Sequence, residues 1–261
     1  MNKISGVIIT YNEERYIEKC LSSLKDVVDE IIIIDSFSTD KTKDICLKYG
    51  AIIIEKEFTG FTDQKNFANS KTNFDYILSL DADEALSEEL RKEILSTKQK
   101  KLDKDGYSFN RLNNYCGKWI KHSNWYPDRK IRLFNKQKAK WIGSNNIHEV
   151  IALNNPKNEA ILKGDLLHWA YDSVTEHYLK INNYTEIAAK NYIKNKNKQV
   201  SIFKIFTNPF WKFINNYFLK KGFLDGYYGF VICIFASIGT FLKYIKIREF
   251  QQNKKNHENR F

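Results

Sequence analysis

The sequence predicts an α/β fold: a mostly parallel, Rossmann-like sheet with helices on both faces, followed by a helical C-terminal appendage. Three observations carry this reading. Short apolar runs alternate with segments of helical periodicity four times in the first hundred residues, the pattern of β-α units in a sheet covered on both sides. Polar and acidic residues gather where those apolar runs end. The last third of the chain instead interleaves aromatic residues with lysine and holds a long uncharged stretch. The expected division is a main domain over 1–172 and a helical region over 173–261.

Residues 4–10 read as a buried strand, and Glu13 to Lys25 follows as a helix with Ile17, Cys20, Leu21 and Leu24 along one side. Glu30 to Asp35 contains four consecutive isoleucines and stops on an aspartate. Ser36 to Asp40 then supplies turn and cap chemistry for a helix near 40–49. Ala51 to Glu55 is a third strand and Phe61 to Ser70 a helix. Asp75 to Leu80 is a fourth strand ending on Asp81-Ala82-Asp83-Glu84, with Ser87 capping a helix over roughly 88–98.

Ligands of such sheets bind outside the carboxyl ends of the strands. Thr10, Tyr11, Asn12 and Glu13 follow the first strand, Asp35 and Ser38 the second, and Asp81 and Asp83 the fourth. Side chains alternate along an extended segment, so Asp81 and Asp83 are expected to point the same way. Two carboxylates so placed suit a divalent cation that keeps positions open for phosphate oxygens. The competing reading is that they open a turn and cap the next helix. Neither G-x-G-x-x-G nor G-x-x-x-x-G-K-[ST] occurs, so a dinucleotide fingerprint or a P-loop does not account for this edge.

Further on, Gly106–Leu112 and Arg129–Phe134 read as strands, the second alternating basic and apolar residues. Asn113 to Trp125 between them is expected to be a loop, either contacting sugar through its amides and rings or simply anchored by its tryptophans. Trp141 to Ile151 contains His148 and Glu149, and Ala160 to Trp169 is a strand with His168 near its end.

At 261 residues, 43% hydrophobic and 15% aromatic, the chain is neither disordered nor repetitive. Cys20, Cys46, Cys116 and Cys233 form no C-x-x-C pair, which argues against a zinc site or a disulfide framework. The chain enters a strand almost at once, so no secretory signal is expected. The net charge of +11 is uneven: residues 1–110 carry 16 basic and 21 acidic side chains, and 111–261 carry 26 and 10. A basic, aromatic second part fits either nucleic acid or an anionic membrane surface.

Ser173 opens a long helix with Glu176 completing a capping box. Beyond a lysine and asparagine run at 190–198, Phe203, Phe206, Phe210, Trp211, Phe213, Tyr217, Phe218 and Phe223 interleave with Lys204, Lys212, Lys220 and Lys221. That composition suits a membrane surface. From Gly226 to Leu242 no residue is charged, but 17 helical residues reach only about 25 Å against a hydrocarbon core of roughly 30 Å. Interfacial or re-entrant burial is therefore expected rather than a full span. The alternative is a helical pair packed on the main domain.

Three motifs, Val7-Ile8-Ile9-Thr10-Tyr11-Asn12-Glu13, Ile34-Asp35-Ser36-Phe37-Ser38-Thr39-Asp40-Lys41-Thr42 and Leu80-Asp81-Ala82-Asp83-Glu84, stand in an order and spacing that resemble an inverting family-two glycosyltransferase. The implied architecture is the GT-A type nucleotide-diphospho-sugar transferase fold, over at least residues 4–169. Phe37 departs from the pattern, since members often carry glycine there. Gly60–Ala68, Tyr126–Phe134 and Ile147-His148-Glu149 are similar to the bacterial lipopolysaccharide-core β-glucosyltransferase branch.

The resemblance implies transfer of a hexose from a UDP-sugar, UDP-glucose being favoured, to a hydroxyl of a cell-envelope glycan or glycolipid acceptor such as lipopolysaccharide or lipooligosaccharide core. It implies nucleotide-sugar contacts at Thr10, Tyr11, Asn12, Glu13, Asp35, Ser38, Lys65 and Asp81, with Asp35 accepting from a uracil N–H. Mg²⁺ or Mn²⁺ would be held by Asp83, with Asp81 and His168 as further metal candidates. Glu149 is the candidate general base, with His148 or Asp165 as alternatives. Arg129 and Arg132 either assist with phosphate or form salt bridges inside the sheet. The expected setting is cytoplasmic, peripheral on the inner face of the cytoplasmic membrane, with no nucleic-acid partner. A sugar-1-phosphate nucleotidyltransferase would share fold and metal but begin with a Gly-rich signature and an arginine, which Thr10-Tyr11-Asn12-Glu13 replaces. A non-catalytic membrane or nucleic-acid binding module would account for residues 190–261 only.

Overall fold

The computed structural model describes residues 2–143, 149–196 and 199–258. The chain divides into two compact units, one of Met1–Leu112 with Pro127–Ala170, the other of Asn113–Tyr126 with Tyr171–Phe261. Asn113–Tyr126, which falls inside the main domain expected from sequence, thus groups with the C-terminal helices.

The elements of the first unit run β1 (Ile4–Thr10), α1 (Ile17–Leu24), β2 (Glu30–Asp35), α2 (Thr42–Lys48), β3 (Ile52–Glu55), α3 (Phe61–Ser70), β4 (Tyr76–Asp81), β5 (Glu84–Leu86), α4 (Glu88–Lys100) and β6 (Gly106–Tyr115). After β7 (Lys118–Ile120) come β8 (Asp128–Asn135), β9 (Ala139–Ile142), β10 (Val150–Leu153) and β11 (Glu159–Tyr171). The main sheet has the order β3-β2-β1-β4-β8-β6-β11-β5. The strands β1 to β4 are parallel, because a crossover helix joins each to the next. β8 runs antiparallel to β4 and to β6, and β5 antiparallel to β11, so the expected α/β sheet carries an antiparallel extension. β9 and β10 form a separate hairpin.

Alternation along the strands feeds two cores. Ile4 and Ile8 of β1, Ile33 of β2, and Leu78 and Leu80 of β4 meet Ile17, Cys20, Leu21 and Leu24 of α1 and Leu90 and Ile94 of α4. Val7, Ile32, Ile34 and Ile77 point the other way and meet Ala68 of α3 with Trp141 and Ile151 of the hairpin. Ser87 caps α4 as expected, its hydroxyl accepting from the Leu90 N–H at 3.2 Å.

In the second unit, Asn113–Trp125 is not the plain loop expected. β6 continues to Tyr115 and pairs with β7 through a two-residue turn at Cys116 and Gly117, whose φ angles of 50° and 87° suit a hairpin turn. The cysteine disguised that turn in the sequence. Three helices follow: α5 (Val174–Lys196), α6 (Ile202–Ile214) and α7 (Gly226–Glu258), the last two joined by a π-helical turn at Asn215–Leu219 and a 3₁₀ turn at Gly222–Asp225. The Ser173 hydroxyl accepts from the Glu176 N–H, while Glu176 reaches back to the N–H of Asp172, completing the cap one residue earlier than a standard box. α7 does not stop with the uncharged stretch. Its 33 residues extend about 50 Å, so helix length no longer argues against a span.

Asp225 anchors this unit. Its buried carboxylate accepts from the backbone N–H groups of Lys121 and His122 at 3.2 and 2.8 Å, and its carbonyl accepts from Lys118 Nζ at 2.6 Å. Gly229 in the first turn of α7 is obligatory: a Cβ there would overlap the carbonyl oxygen of Gly222.

Candidate active site

The carboxyl ends of β1, β2 and β4 lie side by side, with Thr10 in register with Asp35 and Ile9 in register with Asp81. Two loops leave this edge and are laced together. Ser38 donates to both carboxylate oxygens of Asp35, through its N–H at 2.7 Å and through its hydroxyl. That hydroxyl accepts the Asn12 N–H at 2.9 Å, and the Asn12 side chain accepts the Thr39 N–H at 2.8 Å. Glu13 N–H donates to Thr42 Oγ1 at 2.8 Å. Asp35, fully buried, thus shapes the loop through Ser38. Asn12 and Phe37 hold left-handed φ angles of 53° and 63°. At Phe37 a side chain bears strain that a glycine would not. Tyr11 and Phe37 stand exposed on the rim, and Thr10 Oγ1 is buried without a partner among the described residues.

Strand alternation ends with β4 at Asp81, and a two-residue turn to β5 separates it from Glu84. Asp81 and Asp83 consequently take different partners. Asp81 receives Lys65 Nζ at 2.8 Å and Arg132 Nη2 at 2.8 Å, whereas Asp83 faces His168 Nε2 at 3.4 Å. Glu84, fully buried, accepts the Asp81 N–H at 3.0 Å and Arg132 Nη2 at 2.7 Å, with Arg111 at 3.4 Å. Arg132 therefore takes the salt-bridge role left open by the sequence. Burial by itself would raise the Asp81 carboxyl, but Arg132 and Lys65 outweigh it and hold the group far below the usual carboxylate range.

Lys65 is the centre of the constellation. It is 1% exposed because Lys65, Ala68 and Asn69 share the sheet-facing side of α3. Its ammonium also reaches Glu149 Oε1 at 3.0 Å and lies 4.4 Å from the Trp141 ring centroid. Asn66, the next residue, grips the Trp141 backbone from both sides, at 2.9 and 3.2 Å. Since Ile142 pairs with Val150, that grip also fixes Glu149 at the head of β10. His148 lies outside the described residues. Asp165, the other alternative base, has its backbone tied to Ser87 at the start of α4, through Ser87 N–H to its carbonyl and its own N–H to Ser87 Oγ.

Sequence reasoning thus singled out Lys65, Asp81 and Glu149, which the fold brings together, and Asp83 with His168, which form a pair beside them. It missed Trp141 and Arg111. Alternation in 129–134 flagged Arg132, while Trp141 gave no signal beyond its apolar neighbours. Among the described residues no group of three or more His, Cys, Asp or Glu could hold a metal ion.

Residues 5–154 match the family described as glycosyl transferase family 2, and the chain belongs to that family. It is 34% identical over 264 residues to a Rickettsia typhi protein described as an uncharacterized glycosyltransferase, across 98% of this chain and 90% of the relative. It is 29% identical over 252 residues to the lipopolysaccharide core biosynthesis glycosyltransferase LpsC of Rhizobium meliloti, across 94% of this chain and 91% of that protein. Among solved structures, S. aureus TarS 1-349 in complex with UDP is similar over 96% of this chain and 92% of that one, at 16% identity and a TM-score of 0.43. Glucosyl-3-phosphoglycerate synthase from Mycobacterium tuberculosis, in complex with Mn²⁺, UDP and glucosyl-3-phosphoglycerate, is similar over 43% of this chain and 44% of that one, at 23% identity and a TM-score of 0.34.

Proposed function

We propose that this glycosyltransferase moves a hexose, glucose being favoured, from a UDP-sugar to a hydroxyl of a lipopolysaccharide- or lipooligosaccharide-core type acceptor, with inversion and with a divalent cation. One observation carries the reading: Asp81, at a strand end where nucleotides bind, and Glu149, on a separate arm, share the single ammonium of Lys65. The likeness to LpsC along nearly the whole chain supports the class of acceptor.

In this reading the nucleotide lies over Thr10, Tyr11, Asn12 and Glu13, on the loop braced by Asp35 and Ser38. The unpartnered Thr10 hydroxyl supports a polar ligand there. Asp81 and Lys65 stand toward the ribose and diphosphate. Glu149 takes the proton of the acceptor hydroxyl as its oxygen bonds to the anomeric carbon. The bond to UDP breaks on the opposite face, and its electron pair leaves on the diphosphate oxygen.

Asp83 and His168 offer one carboxylate and one imidazole, a donor set that fits Mg²⁺ or Mn²⁺ when phosphate oxygens and water complete the shell. Asp81, with both oxygens on cationic partners, adds to that set only if Lys65 or Arg132 gives way. A bound cation supplies charge stabilisation at the leaving diphosphate.

The test is a donor screen over nucleotide sugars, scored by UDP release with and without cell-envelope acceptor lipid. Stabilisation to heat by UDP with Mn²⁺, and acceptor-dependent UDP release, are expected. Stabilisation by UTP with a sugar phosphate instead, and release of pyrophosphate, would select the nucleotidyltransferase.

A further inference from the structure

We infer that the second unit docks this protein flat on an anionic lipid bilayer through α6 and the turns that follow it, and that α7 does not cross the membrane. α7 invites the opposite reading, for the helical stretch Gly222–Asn253 is long and apolar enough to span by length and composition. What lies beside α7 decides between the two.

α5 packs along α7 from Phe235 to Ile247. The His177 ring lies tilted against Phe235 with centroids 4.8 Å apart, and Ile181 and Thr185 pack at Gly239. Lys246 Nζ donates to the Asn182 carbonyl at 2.7 Å, and Ala189 shares a core cluster with Ile247. On the same helix, ion pairs Glu176–Lys180 and Glu186–Lys190 face solvent, with the Lys190 side chain 63% exposed. A membrane-crossing α7 would carry these charges into hydrocarbon, where each is costly. The packing that holds α5 to α7 therefore keeps the pair out of the bilayer core.

Phe230 and Ile238 of α7 are themselves 43% and 38% exposed, but the larger exposed apolar surface lies on α6 and the turns that follow it. Phe203, Phe206 and Phe210 recur at helical spacing along α6 and are 74%, 64% and 67% exposed, and Trp211 joins them. Phe218, Leu219, Phe223, Leu224 and Tyr227 continue the exposed apolar surface through the turns into α7. The other side of α6 is already occupied: Ile205 is buried in the cluster with Ile247, and the Pro209 carbonyl accepts the Ser237 hydroxyl at 2.9 Å. From 201 to 224 the chain has Lys204, Lys212, Lys220 and Lys221 and no Asp or Glu. Exposed rings among unopposed lysines match an interface where rings sit at headgroup level and ammonium groups meet anionic lipid. A second copy of the chain would bring the same lysines against themselves, so charge favours the lipid surface.

Flotation of the full chain tests this, using vesicles of phosphatidylglycerol mixed with phosphatidylcholine and vesicles of phosphatidylcholine alone. The protein should float with the mixed vesicles and much less with the neutral ones. Each change Lys204→Gln, Lys220→Gln or Lys221→Gln should weaken partition about fivefold at low salt. Phe203→Ser with Phe210→Ser should abolish flotation without changing the circular dichroism spectrum, whereas Leu47→Ser, an equally exposed position in the first unit, should leave it intact. Membranes from cells expressing the chain should release it into alkaline carbonate. Retention there would overturn the claim that α7 does not cross. Failure to float, or concentration-dependent dimerisation that the Phe203 and Phe210 changes abolish, would overturn the lipid surface. None of these readings depends on glycosyl transfer.

Discussion

The Lys65 ammonium lies 3.0 Å from Glu149 Oε1, joining the middle of α3 to a residue that begins the β10 arm. The same nitrogen is 2.8 Å from Asp81 and is buried, so one cation neutralises two carboxylates that would otherwise repel. Lys65→Met keeps the length and apolar stem but removes the charge. It should destabilise the protein by about 2–3 kcal/mol in urea unfolding, at the low end for a broken buried pair because both carboxylates keep some access to water. Donor-dependent UDP release should fall at least a hundredfold. Unchanged stability would mean that the three groups do not share the contact in solution.

Glu149→Gln keeps a hydrogen-bond acceptor near Lys65 and removes the proposed base. Turnover should drop by roughly two to four decades while UDP-sugar affinity, measured by calorimetry, stays within a few-fold. An Asp165→Asn variant that loses turnover equally, with Glu149→Gln near wild type, would move the base to β11.

Asp83 takes His168 as its partner at 3.4 Å, whereas the Lys65 ammonium holds Asp81 and Glu149, so metal binding can be tested at a residue outside those Lys65 pairs. Asp83→Asn should abolish Mn²⁺-dependent tightening of UDP binding and leave the unfolding midpoint within about 0.5 kcal/mol of wild type, the range of changes that break no packing. Activity that persists in excess EDTA would remove the cation from the mechanism.

Phe37 places a ring on a left-handed stretch of backbone. Its φ of 63° costs a side chain about 1–2 kcal/mol, partly offset because glycine gives the unfolded chain more freedom. Phe37→Gly should therefore stabilise the first unit by roughly 0.5–1 kcal/mol. A loss of stability would mean that the ring, though exposed, packs on something worth more than the strain.

The parts of this molecule that were legible in the sequence are those fixed locally. The isoleucines of β2 declare a doubly covered strand, Ser87 announces α4, and the polar residues after β1, β2 and β4 share an edge because parallel strands must end on the same side. What could not be read depends on partners far along the chain. Glu84 looks like one more acid in a turn until β8 brings Arg132 to it across 48 positions. The expectation that Asp81 and Asp83 point the same way needs strand alternation to continue through both, and it stops where β4 stops. α7 was cut short in expectation because its apolar pattern ends at Leu242, although lysine and arginine are good helix formers and the helix runs on to Glu258.

His177 gives the second unit a pH limit of its own. Its ring is packed among Tyr115, Trp125, Tyr171 and Phe235, with Nδ1 3.0 Å from the Tyr115 hydroxyl. Burial pushes its pKa down to about 4, with the Lys180 ammonium adding to the effect and Glu176 opposing it. In the unfolded chain the imidazole titrates near 6.5. Between these values the unfolded state binds a proton that the folded state refuses, so stability is complete above about pH 6.5 and falls as the pH drops toward 4. Between pH 7.5 and 5 the loss should be about 2 kcal/mol, seen as a lower urea midpoint. His177→Gln retains an amide to meet Tyr115 but cannot take up the proton, so its midpoint should be flatter over that range even if it is lower at pH 7.5. Parallel pH profiles for the two proteins would show that His177 is not the group that limits the acid stability of this unit.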